Sequence, residues 1–209
     1  MTGKIEIDER AGIRSEIYHY LSIAFSKPDE SFGDYFAGLT PLLDDLYPES
    51  SGYFEDVMKS LLLQIENIES LQCDYGALFI GPFQTLAPPY ASVYLNEGII
   101  MGDSTIQVME CYSAVGLEVN QEEGLIPDHI SIELEFIHHC LLKYMESGDT
   151  SYYDLHTAFI TEHMYKWIPD FISRILSSDV TGYYRDLAKF FAVFFEKDFY
   201  QASHLPVPH

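Results

Sequence analysis

Apolar positions recur along this chain at the three- and four-residue spacing of helices laid against a shared core. Sustained alternation, the mark of half-buried strands, is missing. Ile13, Ile17, Tyr20, Leu21 and Ala24 form one stripe. Asp8 stands before it as a cap and Pro28 follows, which predicts a helix over about 9–26. Residues 29–47 read as short helical pieces broken by Gly33, Gly38 and Pro41. Phe54, Val57, Met58, Leu61, Leu62 and Ile65 form the next stripe, with Ser50 or Ser51 as its cap. Tyr75, Leu78 and Phe79 share one face of a helix over about 68–80. Gly81-Pro82 ends it, because proline has no N–H to donate and forces its predecessor out of the α region.

Further on, Ile106, Val108, Met109, Tyr112 and Val115 follow Gly102-Asp103-Ser104-Thr105. Asp103 or Ser104 fits the cap and Gly116 the stop. Residues 117–127 read as an acidic loop. Asp128 is then expected to cap a helix to about Ser147, closed by Gly148. Ser151 opens another, ending near Met164, and Pro169 sits just inside a segment ending near Leu176. Ser178 or Asp179 opens the last helix, to about Tyr200, with the 190–195 run FFAVFF in the core and 201–209 as a frayed tail. Short strand candidates fall near 92–101. The expectation is a single all-α domain over 1–209, with about eight to ten helices.

Tyr75–Tyr94 organises the rest. After its helical half, the stretch carries Pro82, Pro88 and Pro89 with the aromatics Phe83, Tyr90 and Tyr94. Connections are normally short and polar, so this apolar loop is unusual. It reads either as a rigid loop packed on the core or as the wall of a binding groove.

Composition narrows the partners. The 209 residues include 33 Asp+Glu against 11 Lys+Arg, a formal charge of −22. Such a chain is a poor match for nucleic acid or an anionic membrane surface and a good one for a basic partner. The distribution sharpens this, since no Lys or Arg stands between Lys59 and Lys143. Cys73, Cys111 and Cys140 have no metal-ligand spacing and read as small buried hydrophobes in a reducing compartment. The first residues, MTGKIEIDERAG, lack the apolar core of a signal peptide, and no apolar run is long enough for a membrane span. The expected location is the cytoplasm.

Asp128, His129 and Glu133 are the polar group of most interest. His129 and Glu133 are four residues apart, on the flank of the stripe of Ile130, Ile137, Cys140, Leu141 and Tyr144. Glu133 there is expected to be half-buried. The group reads as an aspartate cap with a local His–Glu pair, or as the polar end of a groove. Glu16-x-x-His19 and Glu135-x-x-His138 match the spacing used by di-iron bundles. At 100° per residue, however, His19 points nearly opposite the stripe of its helix and Glu135 well away from its own. His138-His139 and the His156/His163 pair make no zinc pattern, so neither a metal nor any other cofactor is expected. Phosphate-binding, dinucleotide, nucleophile-elbow and zinc-protease motifs are all absent.

Several blocks carry a family resemblance. They are Leu78-Phe79-Ile80-Gly81-Pro82-Phe83; Ala87-Pro88-Pro89-Tyr90-Ala91-Ser92-Val93-Tyr94-Leu95; Met101-Gly102-Asp103-Ser104-Thr105; and Pro127-Asp128-His129 with Ile132–Phe136. A looser block runs from Phe159 through His163 to Trp167 and Phe171. Together they resemble the TorD/DmsD family of cytoplasmic molybdoenzyme chaperones. The resemblance implies a helical chaperone that catalyses nothing and carries no cofactor of its own. It implies recognition of the twin-arginine signal peptide and apo catalytic subunit of a dimethyl-sulfoxide-reductase-type molybdoenzyme, held until its molybdopterin is loaded and then released for export.

On that reading the peptide-binding residues are Tyr75, Leu78, Phe79, Phe83, Pro89, Tyr90, Ser92, Tyr94, Gly102, Asp103, Asp128, His129 and Glu133. The leader arginines would meet Asp128 and Glu133, with Glu97 or Asp103 beside them, and stack on Tyr90 and Tyr94. The apolar leader segment would lie along Leu78, Phe79, Phe83 and Pro89. Relatives often carry tryptophan where this chain has Tyr75, Phe83, Tyr90 and Tyr94, which leaves the client open. Other readings are a chaperone of a non-exported nitrate-reductase-type enzyme, a metal-dependent helical-bundle enzyme, and an acidic adaptor. Monomer and homodimer both fit.

Overall fold

The apolar stripes become nine α-helices in a computed structural model that describes residues 2–29, 32, 48–81, 85–119, 124, 126–180 and 182–204. They are α1 (Thr2–Ala24), α2 (Pro48–Ile65), α3 (Ile68–Tyr75), α4 (Ala91–Leu95) and α5 (Asp103–Ala114), followed by α6 (Ile130–Ser147), α7 (Thr150–Ala158), α8 (Ile168–Ser177) and α9 (Tyr183–His204). Among the described residues there is no strand, and no helix is long and apolar enough to cross a membrane. The glycine-broken segment expected over 29–47 lies largely outside the described residues.

The core is aromatic. α1 lies along α6, and α9 packs between α2 and α8. Phe190, Phe191, Phe194 and Phe195 of α9 are buried, with Tyr18, Phe25, Phe54 and Phe171 around them. Many rings meet edge to face, as at Tyr18–Phe194 and Phe25–Phe171, an arrangement favoured by their quadrupoles. One buried polar cluster crosses this core. The Arg14 Nε lies 2.5 Å from Asp198 Oδ1, and the Tyr18 hydroxyl donates to Asp198 Oδ2. Burial pushes the Asp198 carboxyl up, but Arg14, His156 and Tyr18 together more than offset it and hold it well below the usual range.

Several boundaries differ from the sequence reading. α1 begins at Thr2, so Asp8 lies inside it rather than at its cap. The caps of α7 and α9 also move: Asp149 accepts from Ser151 N, and Gln64 of α2 accepts from Tyr183 N at 2.8 Å. A side chain 119 residues away thus replaces the local serine or aspartate expected to open α9. That helix runs on to His204, through the first part of the expected tail. The strand candidates near 92–101 form the short helix α4 and a turn. Gly148 closes α6 in the left-handed conformation, φ 69°, where glycine lacks the Cβ clash. Cys73 is exposed, contrary to expectation, while Cys140 is buried.

Two helices do not end but widen. α3 passes into a π turn over Gly76–Ile80, closed by Gly81 N–H donating to the Gly76 carbonyl at 2.7 Å. α7 passes into a second over Phe159–His163, then a 3₁₀ turn over Met164–Lys166. Such single-turn π segments often stand at functional sites. The first delivers the apolar loop, and the second aims His163 at the first turn of α6.

Candidate functional site

A short backbone joint ties the proline loop to the start of α6. Ala91 N–H donates to the Asp128 carbonyl (3.0 Å), and Ile130 N–H donates to the Pro89 carbonyl (2.8 Å). Tyr90 and His129 thereby form an isolated antiparallel bridge, their rings edge to face at 5.2 Å. The Asp128 side chain completes the joint, its Oδ2 accepting from Ser92 N–H at 2.7 Å. Asp128 therefore caps α4, not α6 as expected. Ser92 passes the connection on, its hydroxyl accepting from Met101 N–H at 3.2 Å. Tyr112 on α5 donates its hydroxyl to the Pro127 carbonyl at 3.0 Å. Three blocks distant in sequence are thus stitched into one unit.

His129 takes the cap of α6. Its Nδ1 accepts from Ser131 N–H at 3.2 Å, which requires an unprotonated Nδ1. Burial lowers the ring to about 4, against the pull of Asp128, so this histidine is neutral at physiological pH.

Glu133 corrects the expectation most. It is fully buried rather than half-buried, and it does not pair with His129. His163 Nε2–H donates to its Oε1 at 2.7 Å, and Trp167 Nε1–H donates to its Oε2 at 3.1 Å. Burial raises the Glu133 carboxyl against His163 and Trp167. Burial lowers His163, but the charge and hydrogen bond of Glu133, with the charge of Asp128, together outweigh it and the imidazole ends above its usual value. Both carboxylate oxygens are engaged, so Glu133 anchors the π turn and Trp167 to α6 and is not placed to meet an incoming cation.

The aromatic residues also lie deeper than a groove lining would. Tyr75, Leu78 and Phe79 are buried, with Phe79 among Phe25, Tyr75, Phe171 and Tyr184. Pro89 and Ser92 are buried as well. Tyr94 is half-buried, with the Arg174 guanidinium 4.7 Å above its ring, so its cation-binding face is already covered. Phe83 lies outside the described residues. Gly102 caps α5 against Asn96, whose Oδ1 accepts from the Ser104 hydroxyl at 2.6 Å. A Cβ at Gly102 would meet that oxygen at 2.6 Å. Neither Asp103 nor Ser104 provides the expected cap. Of the thirteen predicted positions, Asp103 is exposed, while Tyr90 and Gly102 are half-buried with Tyr94.

What the joint presents to solvent is a surface the sequence reading passed over. Ile99, Ile100, Met101, Ile106 and Met109 are all large, apolar and exposed. Ile106 and Met109 stand three residues apart on α5. Met101 and Met109 line one groove of about 710 Å³ with Tyr112, Leu117, Val119, Ile126 and Pro127. Glu118 lines the same groove, and Glu97, Asp103 and Glu110 are exposed next to these apolar residues along the chain. Glu97 and Met101, at φ 52° and 62°, hold the intervening turn in left-handed conformations that L side chains rarely adopt. A usable signal was present, since Ile99-Ile100-Met101 is an apolar run between two glycines.

These features fit the redox-enzyme maturation chaperones, a class that assists other proteins and catalyses nothing. The chain belongs to the nitrate reductase delta subunit family, whose sequence profile matches residues 47–173. It is similar to Chaperone protein TorD of Vibrio cholerae, 29% identical over 199 residues covering 88% of this chain and 90% of that one. Chaperone protein TorD of Vibrio vulnificus is 28% identical over 194 residues, 87% and 90% of the two chains. Among solved structures, a putative redox enzyme maturation protein from Archaeoglobus fulgidus superposes with TM-score 0.58 at 27% identity, covering 87% of this chain and 93% of that one.

Proposed function

We propose that this chaperone acts in the cytoplasm on a dimethyl-sulfoxide-reductase-type molybdoenzyme, binding its twin-arginine signal peptide and holding the apo catalytic subunit for cofactor insertion before export. The observation that carries the reading is the exposed apolar surface of Ile99–Met101, Ile106 and Met109 with the exposed carboxylates next to these residues along the chain. Contiguous exposed apolar side chains on a globular protein mark a binding surface. A leader peptide is basic at one end and apolar after it, which matches both halves of this surface. Gly102 and Asp103 follow Met101 directly in the chain, and the buried Asp128–Ser92 joint is tied to this surface through the Met101 N–H.

The test is calorimetric titration with a synthetic leader, an arginine pair followed by an apolar stretch, taken from a molybdoenzyme of the same host. Saturable binding that weakens with salt is expected. Replacing Glu97, Asp103 and Glu110 by their amides should flatten the salt dependence, and Met109→Asp should abolish binding without lowering the melting temperature. Retention of full affinity in Met109→Asp would move the site elsewhere. Binding to a mature nitrate reductase subunit and not to any leader would favour a non-exported client, the alternative that the family's name suggests.

A further inference from the structure

We infer that His19, Glu135 and His138 form a binding site for a divalent transition-metal ion, with Zn²⁺ as the natural probe, at the seam between α1 and α6. Judged one helix at a time, His19 and Glu135 point away from their stripes. The two helices lie side by side, however, and their outward flanks meet at the rim. Among the described residues, one ligand atom from each of the three side chains falls within 4.8 Å of the others. His19 Nδ1 and Glu135 Oε2 are 3.1 Å apart, and the two imidazoles lie 4.7 Å apart, centroid to centroid. Ligands bound at 2.0–2.1 Å in a tetrahedron stand about 3.3 Å from each other, so rotamer adjustment suffices to close the site.

The groups around the cluster support the assignment. His138 Nδ1 lies 3.0 Å from the Ser15 carbonyl, which can only accept. The ring proton is therefore on Nδ1, and the Nε2 lone pair is left for an ion. The Ser22 hydroxyl shares its proton between the His19 carbonyl at 2.9 Å and Glu135 Oε2 at 3.0 Å, a contact that orients the carboxylate. Metal-ligating histidines and carboxylates are held in this way by their neighbours. Two imidazoles and one carboxylate suit Zn²⁺, with Cu²⁺ and Ni²⁺ as competitors. His19 and Glu135 are half-exposed, so remaining coordination positions face water or a partner's side chain. An ion here would clamp α1 to α6.

The test uses the untagged full chain, stripped with chelator and titrated with Zn²⁺ by calorimetry and by thermal unfolding. One saturable equivalent and a raised melting temperature are expected, since an ion that binds the folded state stabilises it. Ser22→Ala should weaken the affinity about 10–100-fold. His19→Ala and Glu135→Gln, at half-exposed positions that leave the core untouched, should each remove the equivalent and the thermal shift. His204→Ala should leave both intact. Absence of a saturable equivalent in the parent chain, or its survival in both His19→Ala and Glu135→Gln, overturns the site.

Discussion

The Asp128 carboxylate lies 2.7 Å from the backbone nitrogen of Ser92, where one fully buried side chain caps the start of a helix that belongs to a different block of the chain. Asp128→Ala strands the Ser92 N–H in the interior. A charge-assisted bond of this kind is worth about 1.5–3 kcal/mol, which is the expected loss in urea unfolding. Asp128→Asn keeps an acceptor and should lose less. Equal losses in the two variants would mean that the negative charge, not the cap, is what matters.

Acid should loosen the joint through His129. The ring's folded value is about 4 against an ordinary 6.5, so the unfolded chain binds its proton first as pH falls. Stability from the neutral ring is complete above pH 6.5 and is lost as pH falls through about 4, on the order of 3 kcal/mol in all. His129→Asn retains an acceptor for Ser131 N–H and cannot titrate. Melting profiles of the two proteins should therefore agree near pH 7 and separate below 6.5, with the variant falling less.

Phe79 tests the depth of the loop's foundation. It is 4% exposed and touches four other rings. Phe79→Ala should cost about 3–5 kcal/mol of unfolding free energy. Loss of leader affinity with an unchanged melting temperature would instead return this ring to the binding surface.

Met101 separates binding from stability. Its φ of 62° costs an L-residue roughly 1–2 kcal/mol that glycine escapes, and its side chain is 65% exposed. Met101→Gly should therefore melt no lower than the parent while binding the leader peptide more weakly. A lower melting temperature would show that the side chain has a packing role.

The helical class and most of the core were legible because they rest on periodicity, and Leu21, Phe54, Ile137 and Phe191 all stand inside where the apolar pattern put them. The joint was half legible. Asp128 and the Ala-Pro-Pro-Tyr run stood out as residues, but Asp128 was assigned to the helix after it. Capping rules are local, whereas this carboxylate reaches back 36 positions. Glu133 misled for the same reason, since helix-face geometry offered His129 as its neighbour and gave no hint of His163, 30 residues on. The metal cluster escaped because the angular argument treats each helix separately. His19 and Glu135 are 116 positions apart and meet where two helices pack.

The π turn at Phe159–His163 carries a further implication for how this chain tolerates length changes. Its widened ring accommodates an additional residue without shifting the helix on either side. Deleting one position there would restore ordinary winding and swing His163 about 100° around the axis. The Glu133 Oε1 would then sit in apolar surroundings with its donor gone, so a single-codon deletion in this turn should be far more damaging than one in the loop before α6.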